Sequence, residues 1–179
     1  MKIAVLSSHT PSLFWFRMDM MQSFIEKGHQ VIAVGNEDES IWKEKFLKNG
    51  IEYIKADISR NGMNPFADIK TFACLYKIIK KHKPDKIFTY QAKTVIYGSI
   101  AARLLKIRSV FPLIAGLGSV FLGESLKAKI ISCILKLEYK VALSSAEKVF
   151  FEKTRRKEMV DATAKSHLRL FSQTGIAAF

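Results

Sequence analysis

Four short polar stretches hold the side chains that could do chemistry. The first is Ser7-Ser8-His9-Thr10-Pro11-Ser12, where His9 could hydrogen-bond a sugar or a phosphate, and Arg17 a little further on could reach an anion. Taken alone, each is better read as a solvated or locally satisfied polar group. The second is Ser59 to Pro65 (SRNGMNP), which joins a turn, Arg60 and a residue before proline at a helix start, where free N–H groups favour anions. Anion binding and plain helix capping weigh evenly for Arg60, while Asn64 reads as an N-cap. The third, Tyr90-Gln91-Ala92-Lys93, brings an amide and an ammonium suited to hydroxyls and phosphates, with a solvated role competing for Lys93. The fourth is Gly116-Leu117-Gly118, whose glycines permit close backbone approach to a ligand, although tight loops use glycine for other reasons too.

Further along, Lys129, Lys136 and Lys140 fall within about 40° of one another on a helix and flank an apolar row of Leu126, Ile130, Ile134, Leu137 and Val141. That pattern suits an anionic bilayer surface, and it equally suits a helix docked on a sheet with snorkelling lysines. Nothing in the chain spells a Ser/His/Asp triad, a metal-ligand cluster or a P-loop, and Glu124 and Glu138 have no evident carboxylate partner. The first loop lacks the G-x-G-x-x-G glycines, which disfavours a dinucleotide oxidoreductase.

The elements that must position these residues alternate. Strands are expected at 2–7, 30–35, 51–56, 86–90, 109–114 and 148–151. Helices are expected at 13–27, near 40–48, and at 65–82, 93–106 and about 124–144. Short strands alternating with helices imply a mainly parallel sheet in a Rossmann-like three-layer α/β domain, with function in the loops at the carboxyl ends of strands.

At 179 residues the chain is long enough for one domain with a real core. Its net charge of +13 favours an anionic partner such as a membrane surface, a phosphorylated lipid or nucleic acid. Nucleic acid carries little weight, because Phe14, Trp15 and Phe16 fall in a helical core pattern and leave no base-stacking face. Cys74 and Cys133, too far apart for a metal site, are expected to be buried and inert. The longest uncharged run, Ser109 to Gly123, contains Pro112 and is too short to span a bilayer.

Taken in order, Phe16-Arg17, Gly28-His29, Ser59 to Pro65, Lys83-Pro84-Asp85 and Gly116 to Phe121 (GLGSVF) resemble the amino-terminal half of family-4 glycosyltransferases. Such enzymes build capsule, exopolysaccharide, O-antigen or protein-linked glycans on a lipid carrier. The resemblance covers about Lys2 to Glu152 and implies one half of a GT-B fold, the acceptor-side half. It also implies that His9, Arg17, Arg60, Gln91, Lys93, Gly116, Leu117 and Gly118 serve acceptor binding, with the glycine loop nearest the reacting sugar and no catalytic group assigned.

The complete enzyme would take a UDP- or GDP-linked sugar without a required metal or other cofactor. Its acceptor would be a lipid-linked glycan at the cytoplasmic face of the bacterial plasma membrane, with Lys129, Lys136 and Lys140 toward that surface and no nucleic acid partner. Ala115 departs from relatives that carry a polar residue there. Residues 1–152 are expected to form the domain, and 153–179 a divergent or truncated segment. The donor-binding half is expected to be missing, so that the chain is inactive alone unless a separate donor-domain chain supplies it. The competing reading is a non-catalytic basic module that docks on an anionic membrane or on such a partner chain.

Overall fold

Runs of consecutive apolar residues, five of six buried in each of the first two strands, require a sheet covered on both faces. The computed structural model, which describes residues 1–60, 64–114, 125–144 and 146–151, has that form. In chain order the elements are β1 (Lys2–Ser7), α1 (Thr10–Glu26), β2 (Gln30–Gly35), α2 (Glu39–Leu47), β3 (Glu52–Lys55), α3 (Pro65–His82) and β4 (Lys86–Tyr90). A π-helical turn, Thr94–Gly98, then runs into α4 (Ser99–Leu104), followed by β5 (Ser109–Ile114), α5 (Leu126–Leu143) and β6 (Phe150–Phe151).

The strands lie in the order β3-β2-β1-β4-β5-β6, and every pairing is parallel. Right-handed crossovers therefore put α1 and α2 on one face and α3, α4 and α5 on the other. The core follows this division. Leu13, Met21, Phe24, Trp42 and Phe46 pack on Ile3, Val5 and Ala33, whereas Leu75, Ile79, Ala101 and Ala102 pack on Leu6, Ile32, Ile87 and Val110. Connections leave β1 and β4, which are neighbours, in opposite directions, so the carboxyl ends of these two strands open the crevice where ligands of such sheets bind.

Several expectations change. The first helix begins at Thr10 rather than Leu13, because Pro11 fits a first turn and the Glu37 carboxylate accepts from Thr10 N. The expected helix at 93–106 opens as a π-turn. There a Cβ on Gly98 would stand 3.0 Å from Leu6 Cδ1 and 3.2 Å from Thr89 Cγ2, so glycine lets this turn lie close on β1 and β4. Trp15 and Phe16 are exposed rather than core, since only Phe14 of the three points toward Trp42 and Phe46. Cys133 is also exposed, on the outward side of α5, while Cys74 is half-buried.

Candidate functional site

The crevice is built on Gln91, the residue after β4. Its backbone adopts a left-handed φ of 78°, which turns the side chain across to the loop after β1. Its amide oxygen accepts from Ser8 Oγ at 2.7 Å and lies 3.2 Å from Ser7 Oγ, and its amide nitrogen donates to Ser12 Oγ at 3.1 Å. Ser12 Oγ in turn donates to the His9 carbonyl at 3.0 Å. One side chain thus ties both loops of the switch point together. The His9 imidazole, half-buried at the start of α1, makes no hydrogen bond among the described residues.

Arg17 points inward from α1, on the stripe of Leu13 and Met21, with its guanidinium carbon 4.6 Å from the centre of the Tyr90 ring. This is a cation–π contact at the end of β4. The start of α1, where an anion would ordinarily bind, is already taken. Glu37 Oε2 accepts from Thr10 N at 2.6 Å, Thr10 Oγ1 lies 2.9 Å from Tyr53 Oη, and that hydroxyl donates to the Glu37 carbonyl at 2.8 Å. Burial pushes the Tyr53 hydroxyl up to about 12, so it stays a neutral donor. A carboxylate in that position repels phosphate. Beside it, the Gln91 amide and the buried Ser7, Ser8 and Ser12 hydroxyls bond one another, which leaves the half-buried His9 imidazole as the group there with no hydrogen-bond partner among the described residues. Asn36 Oδ1, buried at the end of β2 without a partner among the described residues, adds an acceptor.

Lys93 is not solvated. It forms an ion pair with Asp68 of α3, both side chains only 14–15% exposed. Beside the pair, Tyr97 of the π-turn donates to Glu138 Oε1 at 3.2 Å, which gives Glu138 the partner that sequence spacing does not show. Burial raises the pKa of both Tyr97 and Glu138, the nearby Glu138 carboxylate adding to the rise on Tyr97. Arg60 is exposed on the connection from β3, and no hydrogen bond or ion pair joins it to the crevice among the described residues. Gly116, Leu117, Gly118, Ala115 and Glu124 lie outside the described residues.

On α5 the apolar row Leu126, Ile130, Ile134, Leu137 and Val141 is 41–75% exposed, and Lys129, Lys136 and Lys140 are exposed beside it. The helix docks through Leu135, Tyr139 and Leu143 instead. No described helix is long and apolar enough to cross a membrane, and no three His, Cys, Asp or Glu residues cluster as metal ligands among the described residues.

Sequence patterning missed Ser8, Ser12, Glu37, Tyr53 and Asp68. The available signal was position: four of them stand at or just after strand ends or in a first helical turn, at the carboxyl edge of a parallel sheet.

Residues 2–153 match the family model described as "Glycosyl transferase 4-like". The chain is 29% identical over 151 residues to the N,N'-diacetylbacillosaminyl-diphospho-undecaprenol alpha-1,3-N-acetylgalactosaminyltransferase of Campylobacter jejuni, covering 84% of this chain and 40% of that protein. Over 69 residues it is 39% identical to the UDP-Gal:alpha-D-GlcNAc-diphosphoundecaprenol alpha-1,3-galactosyltransferase of Escherichia coli, covering 38% of this chain and 17% of that protein. The chain thus spans well under half the length of these two relatives. Among solved structures, a glycosyltransferase from Rickettsia africae superposes with a TM-score of 0.58 at 17% identity, over 92% of this chain and 40% of the other, a likeness of fold alone.

Proposed function

Because the chain belongs to the glycosyl transferase 4-like family, we propose that it is the acceptor-side domain of a glycosyltransferase that moves a sugar from a UDP- or GDP-linked donor to a lipid-linked saccharide at the inner face of the bacterial plasma membrane. Both curated relatives are named for diphospho-undecaprenol acceptors, which supports that acceptor class. The observation that carries the reading is the Gln91 node, which joins the two switch-point loops and sets the unbonded His9 imidazole beside a helix start closed to phosphate by Glu37. A sugar hydroxyl can meet the His9 imidazole there, and the Glu37 carboxylate at the start of α1 disfavours a nucleotide pyrophosphate. His9 is the side chain free to meet a ligand there, Gln91 positions the loop that carries it, and Arg17 supports Tyr90 beneath. The glycine loop Gly116-Leu117-Gly118, Arg60 and Lys93 keep the acceptor-binding roles expected for them from the family resemblance. The donor would be held by a second half, in a longer polypeptide or on a partner chain; that the match covers 40% of the Campylobacter relative supports this reading.

Turnover tests this directly. With nucleotide sugar and a lipid-linked saccharide, this chain gives no product alone and gives product once a donor-half polypeptide is added. Product from the chain alone would overturn the half-enzyme reading.

The exposed row on α5 favours a second role, docking on an anionic membrane. An apolar stripe left in water and bordered by Lys129, Lys136 and Lys140 has the composition of an interfacial helix. Vesicle co-sedimentation that survives replacement of all three lysines by glutamine would count against it.

A further inference from the structure

The first turn of α3 carries a second apolar feature in the same helix layer. Phe66 and Ile69 are 79% and 64% exposed. Neither is needed to start the helix, since Asn64 Oδ1 accepts from Phe66 N at 3.0 Å and from Ala67 N at 3.4 Å. Neither helps to dock it, since α3 packs through Thr71, Leu75 and Ile79 on its opposite side. The same outward stripe continues as Lys70, Lys77, Lys80 and Lys81, all exposed. This repeats the composition of the outward side of α5.

Side-chain contacts hold the two outward surfaces at a fixed distance. Asp68, between Phe66 and Ile69 in α3, pairs with Lys93. Lys93 Nζ lies 5.7 Å from the Tyr97 ring centre, and Tyr97 bonds Glu138 of α5. Glu138 therefore stands near the first turn of α3. The twelve residues before it, Leu126 to Leu137, extend roughly 18 Å toward and past the carboxyl edge of the sheet. The exposed apolar side chains of the first turn of α3 and of the first part of α5 therefore stand toward the carboxyl edge of the sheet, the edge that carries the crevice.

We propose that Phe66 and Ile69 are a second bilayer anchor, inserting beside the α5 row into an anionic membrane so that the crevice is held at headgroup level; this rests on the membrane-docking reading above. Charge selects a bilayer over a protein partner. Helices α3, α4 and α5 carry nine Lys and Arg against the two carboxylates Asp68 and Glu138. Protein interfaces are depleted of lysine at their centres, whereas anionic lipid attracts lysines beside an apolar stripe, and Phe and aliphatic side chains form the buried face of an interfacial helix. A single short apolar patch binds a membrane weakly, and two patches on one rigid layer add their burial and fix the tilt of the domain.

The test uses the full chain and vesicles of phosphatidylethanolamine with phosphatidylglycerol, compared with pure phosphatidylcholine. An environment-sensitive dye on the exposed native Cys133, in a Cys74→Ser chain, reports α5. The same dye in a Cys74→Ser, Cys133→Ser, Phe66→Cys chain reports the first turn of α3. Both dyes are expected to shift to the blue on the anionic vesicles only. The Phe66→Ser, Ile69→Ser chain is expected to partition about tenfold more weakly with its thermal melt unchanged. If the Cys133 dye shifts while the dye at position 66 stays aqueous, or if the double variant binds as the parent does, the second anchor is overturned and α5 docking stands. If neither dye shifts, the membrane-docking reading fails and this inference with it. A shift at position 66 that needs a donor-half polypeptide rather than vesicles makes the pair a protein contact and also overturns the proposal.

Discussion

The two helix layers on either side of the sheet solve different problems. In the α1 and α2 layer, three Lys and Arg meet four carboxylates, and the aromatic side chains Phe14, Trp42, Phe46 and Tyr53 stack inward with centroid spacings of 5.1–6.3 Å. That layer places its aromatic stack inside, although Trp15, Phe16, Ile41 and Leu47 remain exposed and scattered over its two helices. In the α3 to α5 layer, charge is one-sided and a full apolar row of α5 faces water. Apolar area costs roughly 25 cal/mol per Å² to leave exposed, so a continuous exposed row beside one-sided charge, as on α5, is the feature on which the proposed docking rests.

The sharpest way to break that comparison is to truncate matched side chains. Phe46→Ala, in the buried aromatic stack, is expected to lower stability by about 3–5 kcal/mol. Leu137→Ala, on the exposed row of α5, is expected to change it by less than about 0.5 kcal/mol. Denaturant melts of the two variants check this, and equal losses would mean that the α5 row is packed after all. A smaller effect is expected from Gly35→Ala. Its Cβ would stand 2.1 Å from Thr10 Oγ1 and 3.0 Å from Tyr53 Oη, so the Thr10, Tyr53 and Glu37 network must shift. The expected cost is about 1–3 kcal/mol, read by melt, with weaker acceptor binding because the start of α1 moves.

The smallest effect concerns pH. Burial raises the pKa of Glu138 above its ordinary 4.5, so the folded chain holds this proton more tightly than the unfolded one. Stability from this group is fullest below that value and falls as pH rises through the raised one. Glu138→Gln keeps an oxygen to accept from Tyr97 and is expected to flatten that fall in melts taken from pH 4 upward. An unchanged slope would remove Glu138 as its source.

Much of this was legible in the residues. The strand runs, Pro65 after Asn64, and the apolar spacing of 65–82 gave α3 and four of the six strands to the residue, because local chemistry and tertiary packing agree there, while β3 and β6 are shorter than the expected 51–56 and 148–151. The α5 row was legible as amphipathic but not as exposed. Periodicity reports which residues share a face and is silent on what covers it. The π-turn was not legible, since it depends on the close fit of Gly98 against Leu6 and Thr89. In the crevice, the types and strand-end positions of His9 and Gln91 could be read. The left-handed backbone of Gln91, its three serine neighbours and the Asp68 pairing that occupies Lys93 arise only when distant segments meet.

As proposed above, the crevice between β1 and β4 would read the saccharide of a lipid-linked acceptor. Titrating the chain with nanodiscs that carry an undecaprenyl-diphosphate-linked saccharide, against nanodiscs of the same anionic lipid without it, tests this most directly. The account predicts binding about tenfold tighter with the saccharide present, the gain of one or two hydrogen bonds to a well-placed group. It also predicts that Gln91→Leu abolishes the increment and that a UDP- or GDP-sugar does not compete. Equal binding to both nanodiscs, or displacement by the nucleotide sugar, would contradict it.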